Sequence, residues 1–119
     1  MKKIITLISL CCSVILAQNE QIVMNYYLEA KPDKIKQLEN GLKDHNDKFH
    51  QSTEHLVRTW EVVAGERTGQ YMRNGPTQNW ADFDVNVDHP GDAVHWERSV
   101  APYVKDMSCL LYTSPSPRD

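Results

Sequence analysis

Ile35-Lys-Gln-Leu-Glu-Asn-Gly-Leu-Lys-Asp-His-Asn-Asp-Lys-Phe49 is the stretch that decides the architecture. Ile35, Leu38, Leu42, His45 and Phe49 recur at spacings of three and four, which places them on one stripe of an α-helix. Lys36, Glu39, Lys43 and Asp47 form the opposite, solvated face. The period predicts a helix reaching about Gln51. Pro32 suits its first turn, and Asp33 beside it favours the positive end of the helix dipole. A helix with one apolar stripe needs a layer to cover it, so the flanking segments must supply one.

Upstream, Ile22-Val-Met-Asn-Tyr-Tyr-Leu-Glu29 alternates: Ile22, Met24, Tyr26 and Leu28 share one face, and Val23, Asn25, Tyr27 and Glu29 share the other. Downstream, His55–Ala64 alternates in the same way and predicts a second strand. Gly65 to Gly69 reads as a turn, Gln70–Arg73 as the returning strand, and Asn74-Gly75-Pro76 as its break. Residues 79–87 read as irregular structure containing a turn, because the acidic alternation makes a poor strand. Asp88-His-Pro-Gly-Asp92 is a capped loop before a second helix, whose stripe is Ala93, Trp96, Val100, Tyr103 and Met107, with Pro102 kinking or restarting it.

The order strand, helix, strand, strand, helix predicts an α+β fold, a ferredoxin-like βαββα(β) pattern truncated before its last strand. Over residues 21–107 this pattern resembles the dimeric α+β barrel superfamily, which includes antibiotic-biosynthesis monooxygenases, haem-degrading monooxygenases and NIPSNAP-like proteins. The resemblance implies half of a barrel, completed by self-association or by a second barrel half. Lys43-Asp-His-Asn-Asp-Lys-Phe-His50, Gly69-Gln-Tyr71, Gly75-Pro76, Asp82-Phe-Asp84, His95-Trp96 and Val100-Ala-Pro-Tyr-Val104 further resemble uncharacterised exported proteins of Bacteroidetes-type bacteria. That group implies a longer chain and no established activity.

The ends of the chain read differently from its middle. Lys2 and Lys3, the apolar run Ile4–Leu16 and small Ala17 before polar residues form a signal peptide over 1–17, of bacterial type. The run is shorter than the ~20 residues of a membrane span. Export to the periplasm or the exterior follows as the expectation, with no stable membrane anchor. Cys109–Asp119 matches one reading frame of a sequencing adapter, so the domain is expected to occupy 18–108 and to be cut at its C-terminus. Of a net charge of −3, Lys2 and Lys3 account for +2 and Arg118 and Asp119 cancel, leaving −5 on 18–108. That charge argues against a nucleic-acid partner. The region has no cysteine, since Cys11, Cys12 and Cys109 all lie outside it, so thiolate metal sites and cysteine nucleophiles are excluded there.

Candidate site residues are sparse. His45 is a histidine on an apolar stripe, suited to a general base or a haem or metal ligand, or else to a satisfied core position. His50 lies three residues from Asp47 and four from Glu54, a spacing that can hold a divalent ion on a continued helix. His45, His50 and His55, five apart, are each turned about 140° from the last on a helix, so solvent exposure is the simpler expectation. In haem-degrading members of the fold an Asn, a Trp and a His surround the haem; Asn25, Trp60 or Trp80, and His95 match by type. Tyr26, Trp60 and Trp80 are the aromatic candidates for a ligand cavity. Arg58 and Glu61 fall on opposite faces of their strand and read as edge charges. No phosphate loop, serine elbow or paired-carboxylate motif is present. Two functions follow as expectations: an exported small-ligand-binding or structural module, a small apolar molecule being the ligand and no cofactor being needed, or a cofactor-independent or haem-handling monooxygenase-like enzyme.

Overall fold

The computed structural model describes residues 21–76, 78–84 and 89–114. The proposed signal peptide and residues 115–119 lie outside them. The elements are β1 (Gln21–Ala30), α1 (Ile35–Phe49), β2 (Arg58–Glu61), β3 (Tyr71–Asn74), a 3-10 turn (Trp80–Asp84), α2 (Asp92–Ser99), a second 3-10 turn (Ala101–Tyr103) and β4 (Val104–Ser114).

Alternation in β1 organises the sheet. It pairs antiparallel with β3 on one side (Tyr26 opposite Arg73, Leu28 opposite Tyr71) and with β4 on the other (Tyr26 opposite Cys109, Leu28 opposite Met107). β2 flanks β3, so the strand order is β2-β3-β1-β4. Thus β3 splits the β1-α1-β2 unit and β1 splits the β3-α2-β4 unit. Directly opposed residues share a face. Ile22, Met24, Tyr26, Leu28, Thr59, Tyr71, Arg73 and Met107 therefore face the helices, while Val23, Asn25, Tyr27, Trp60, Met72 and Asn74 face away.

Both helices pack on the first face. Leu38 and Leu42 of α1, Leu28, Tyr71 and Val100 form the core, with Trp96, Tyr103 and Val104 against it. Each fully buried Leu or Val stabilises by about 1.5–3 kcal/mol. Gly41 permits the helix crossing: a Cβ there would stand 1.9 Å from the Ser99 carbonyl oxygen. Ile35, expected on the buried stripe, is 56 % exposed, because it is the first helical residue and the core contact begins a turn later at Leu38.

Several boundaries differ from expectation, each for a local reason. Pro32 and Asp33 sit before α1, in a turn closed by the Lys34 N–H donating to the Lys31 carbonyl (3.1 Å), with Asp33 at φ 63°. Aspartate is among the few residues that tolerate this left-handed region. β2 covers four residues instead of ten. The carbonyls of His55 and Val57, which a longer strand would place in a ladder, accept side-chain bonds from His50 and Asn46. After Glu61 the hairpin closes through Val62 and then turns at Gly65 and Gly69, both at positive φ. Residues 80–84 form the expected turn, fastened by reciprocal bonds between Asn79 and Asp82.

α2 stops at Ser99, since Pro102 lacks a donor and disfavours helix at Ala101. Ala93 is exposed, and Met107 leaves the helical stripe for β4, opposite Leu28. The last strand, expected to be missing, is present as Val104–Ser114 and runs along all of β1. Beyond Ser108, Leu110, Leu111 and Tyr112 are exposed, so that half is held to β1 by backbone pairing, which almost any sequence without proline can make.

Candidate functional site

The chain has five histidines, and folding brings them all to the region between α1, the start of α2 and the sheet. α1 ends at Phe49. His50 caps it at φ −128° through its N–H to the Asn46 carbonyl, so it no longer follows the helical rotation. Its ring turns back under His45, with the two Nε2 atoms 3.3 Å apart. His50 Nδ1 lies 3.1 Å from the His55 carbonyl. A carbonyl only accepts, so Nδ1 carries the proton and Nε2 keeps its lone pair.

His45 is 1 % exposed. Its Nδ1 meets Nδ1 of His95 at 3.0 Å, and His95 Nε2 meets the Asp44 carboxylate at 2.9 Å. The Asp44 carboxylate accepts a hydrogen bond from His95 Nε2–H, His95 Nδ1 then accepts from His45 Nδ1–H, and His45 Nε2 is left with a lone pair. Asp92, the first residue of α2, places its two oxygens 3.1 Å from His45 Nε2 and 3.6 Å from His50 Nε2. Burial, reinforced by the positive Arg73 and outweighing the attraction of Asp92, pushes His45 down to about 4. Burial also lowers His50, against the opposing bond to the His55 carbonyl. At neutral pH both rings are uncharged, so their contacts with Asp92 are not ion pairs. One ligand atom from each of His45, His50 and Asp92 lies within 4.8 Å of the others.

These groups line one end of a cavity of about 440 Å³, whose other walls include Met24, Tyr26, Arg73, Trp96 and Met107. Arg73 is 7 % exposed. Its Nη2 donates to Asn46 Oδ1 at 2.6 Å, and its guanidinium lies 5.0 Å from the Trp96 ring centre. Asn46 is held in turn by the Val57 carbonyl and the Thr59 hydroxyl. Burial lowers Arg73 to about 10, with Asp92 opposing, so it stays charged at neutral pH. Its Nε is buried and has no partner among the described residues. Burial raises the Tyr26 hydroxyl, helped by Cys109 across the strand pair.

No protein-family model and no curated protein matches the chain. Solved structures do. A provisionally assigned antibiotic biosynthesis monooxygenase from Bordetella bronchiseptica matches with a TM-score of 0.56 at 15% identity, over 81% of this chain and 96% of that one. An uncharacterised NIPSNAP-like domain protein from Burkholderia xenovorans matches with a TM-score of 0.62 at 8% identity, over 83% and 89%. A dimeric ferredoxin-like protein of unknown function from Thermobifida fusca matches with a TM-score of 0.52 at 14% identity, over 82% and 93%. The fold is ferredoxin-like.

Within this ferredoxin-like fold the sequence-read candidates separate. His45 and Tyr26 line the cavity, and His50 joins His45. His95 stands behind His45 and braces it, while its neighbour Trp96, expected as core, both packs on the core and lines the cavity. Asn25 faces away from the helices and accepts from Asn74 at 2.7 Å. Trp60 is 52 % exposed on that same outer face, and Trp80 packs on Phe83 in the 3-10 turn. The Asn–Trp–His set read for haem is therefore not assembled. Asp47 pairs with Lys43 at 2.7 Å on the solvated face of α1, so it is Asp92 that joins His50. Asp92 and Arg73 were missed. The available signals were an arginine inside an apolar strand and a loop, His89-Pro-Gly-Asp92, that starts a helix on a carboxylate.

Proposed function

We propose that this domain binds a small molecule with an anionic or hydrogen-bond-accepting end in the cavity between helices and sheet. One observation carries the reading: the Arg73 Nε–H is buried beside the cavity with no partner. An unmet buried donor costs about 1–3 kcal/mol, and a ligand oxygen there would recover it. Met24, Tyr26 and Trp96 would take the apolar part of the ligand. Benzoate and benzylamine, equal in size and opposite in charge, test the idea in NMR titrations that follow the Arg73 Nε–H. Saturable shifts with benzoate alone are expected, and in Arg73→Lys the accompanying shifts of the Trp96 indole N–H, on the same cavity wall, should be lost. Equal responses to both, or none to benzoate, would refute the reading.

A second, catalytic reading of oxygenase type is favoured by the chain Asp44–His95–His45, which orients a neutral imidazole at the cavity wall as a general base. Oxygen consumption with a dihydroxy-aromatic substrate, lost in His45→Gln, is its test. For assembly, we infer a second copy of this chain over the outer sheet face, where Val23, Tyr27, Trp60 and Met72 lie. Light scattering of the wild type and Trp60→Lys checks this. We also place the activity outside the cytoplasm, on the strength of residues 1–17; among the described residues no helix is long and apolar enough to cross a membrane.

A further inference from the structure

We propose that His45, His50 and Asp92 form a facial binding site for a divalent first-row transition-metal ion, with its remaining coordination positions open to the cavity. The inference does not depend on the organic ligand proposed above.

The argument begins with an excess of acceptors. His50 spends its ring proton on the His55 carbonyl, and His45 spends its own on His95, whose other nitrogen is engaged by Asp44. Two lone pairs and a carboxylate are then left at 3.1, 3.3 and 3.6 Å from one another with no hydrogen between them. Such a cluster is repulsive unless a cation joins it. A proton on His45 Nε2 satisfies one contact only. It also moves the His95 proton to Nδ1, so that His95 Nε2 accepts from the Lys48 ammonium at 3.3 Å and faces the Asp44 carboxylate at 2.9 Å with no proton between them. A metal ion satisfies all three groups at once.

The distances fit. With metal–nitrogen and metal–oxygen bonds of about 2.1 Å, neighbouring ligand atoms stand about 3.0 Å apart at a right angle and about 3.4 Å apart at the tetrahedral angle. The observed 3.1, 3.3 and 3.6 Å lie close to these values, the first and last being measured to different oxygens of Asp92. The supports are those a metal site needs: each ligating imidazole is held through its far nitrogen, by a carbonyl for His50 and by the His95–Asp44 chain for His45. Two imidazoles and one carboxylate suit iron(II), cobalt, nickel or zinc. Calcium and magnesium prefer all-oxygen shells. Three ligands on one side leave positions for a small molecule, and the nearby positive Arg73 favours an anionic one.

The test uses the full chain, stripped with chelator and titrated with zinc or cobalt(II) alone, no organic ligand being added. Calorimetry should find one ion per chain, and cobalt should show the visible bands of a nitrogen–oxygen site. Asp92→Asn, close in shape, and His50→Ala should each weaken zinc at least tenfold, and Asp44→Asn should do so through His95 by a comparable factor. His89→Ala and Asp47→Ala should change nothing. Circular dichroism of each variant separates lost ligation from lost folding; should His50→Ala unfold, Asp92→Asn and the cobalt spectrum still decide. Any of four results overturns the site: no saturable zinc or cobalt binding, retention of tight binding in Asp92→Asn, its loss in His89→Ala, or calcium binding as tight as zinc.

Discussion

Replacing Gly41 with Ala tests the packing that brings the candidate site together. The added Cβ would meet the Ser99 carbonyl oxygen at 1.9 Å and its carbon at 2.9 Å. Ordinary contacts between such atoms lie near 3.5 Å, so the helices must part by more than about 1 Å. Backbone blocks the way, and no side chain can swing aside. Overpacking of this kind costs about 2 kcal/mol. A gap of that width also forfeits about a quarter to a half of the attraction between facing atoms, about 2 kcal/mol over Leu38, Leu42 and Val100. Alanine recovers about 1 kcal/mol of helix propensity. The net expectation is a loss of about 3 kcal/mol, or about 12–24 °C in Tm for a domain of this size. Urea and thermal unfolding measure it. Asn40→Ala, the exposed neighbour in the same helix, serves as the control and should gain a few tenths of a kcal/mol. A Gly41→Ala protein melting at or above the wild type, with an unchanged urea slope, would refute the packing argument. Because α2 carries Asp92 and His95, the same substitution should also weaken zinc binding.

Three further outcomes are expected. In metal-free protein, His45 takes its proton near pH 4 when folded and near 6.5 when unfolded, so the unfolded chain binds more protons between these values. Stability should therefore be fully present above pH 6.5 and fall by up to about 3 kcal/mol as pH drops towards 4; Tm against pH for wild type and His45→Gln reads this, the variant being flatter. Tyr71→Phe removes a 2.6 Å bond from the buried ring's hydroxyl to Glu39 and should cost about 1–2 kcal/mol in urea unfolding, while a loss near zero would place that bond among the negligible surface ones. A chain ending at Ser108 should lose the partners of Gln21–Tyr26 in β4 but keep the core, so amide exchange should quicken in that half of β1 and stay slow at Leu28 and in α1; global unfolding would show that Cys109–Ser114 is needed for the fold.

Much of the architecture was legible because it depends on local period. The alternation in Ile22–Glu29 and the three-and-four spacing of Leu38, Leu42 and His45 are properties of neighbouring residues, and hydrophobic burial acts on them directly. The strand order and the two helices over one face then follow from few compact alternatives. Boundaries were less legible where side chains compete for backbone groups, as at His55 and Val57, or where proline changes the partner of its neighbours, as at Pro102.

The candidate site lay almost wholly beyond the sequence. On a continued helix His45 and His50 point apart; they meet because the helix ends at Phe49 and His50 turns back. Asp92 reaches them from 42 positions beyond His50, through a crossing that Gly41 allows. Arg73 becomes a buried cation because β3 is inserted between β1 and β2, so its alternation faces the helices. Burial, protonation and ligand geometry are set by which groups from distant segments share the same small volume, and that is decided only when the layers close.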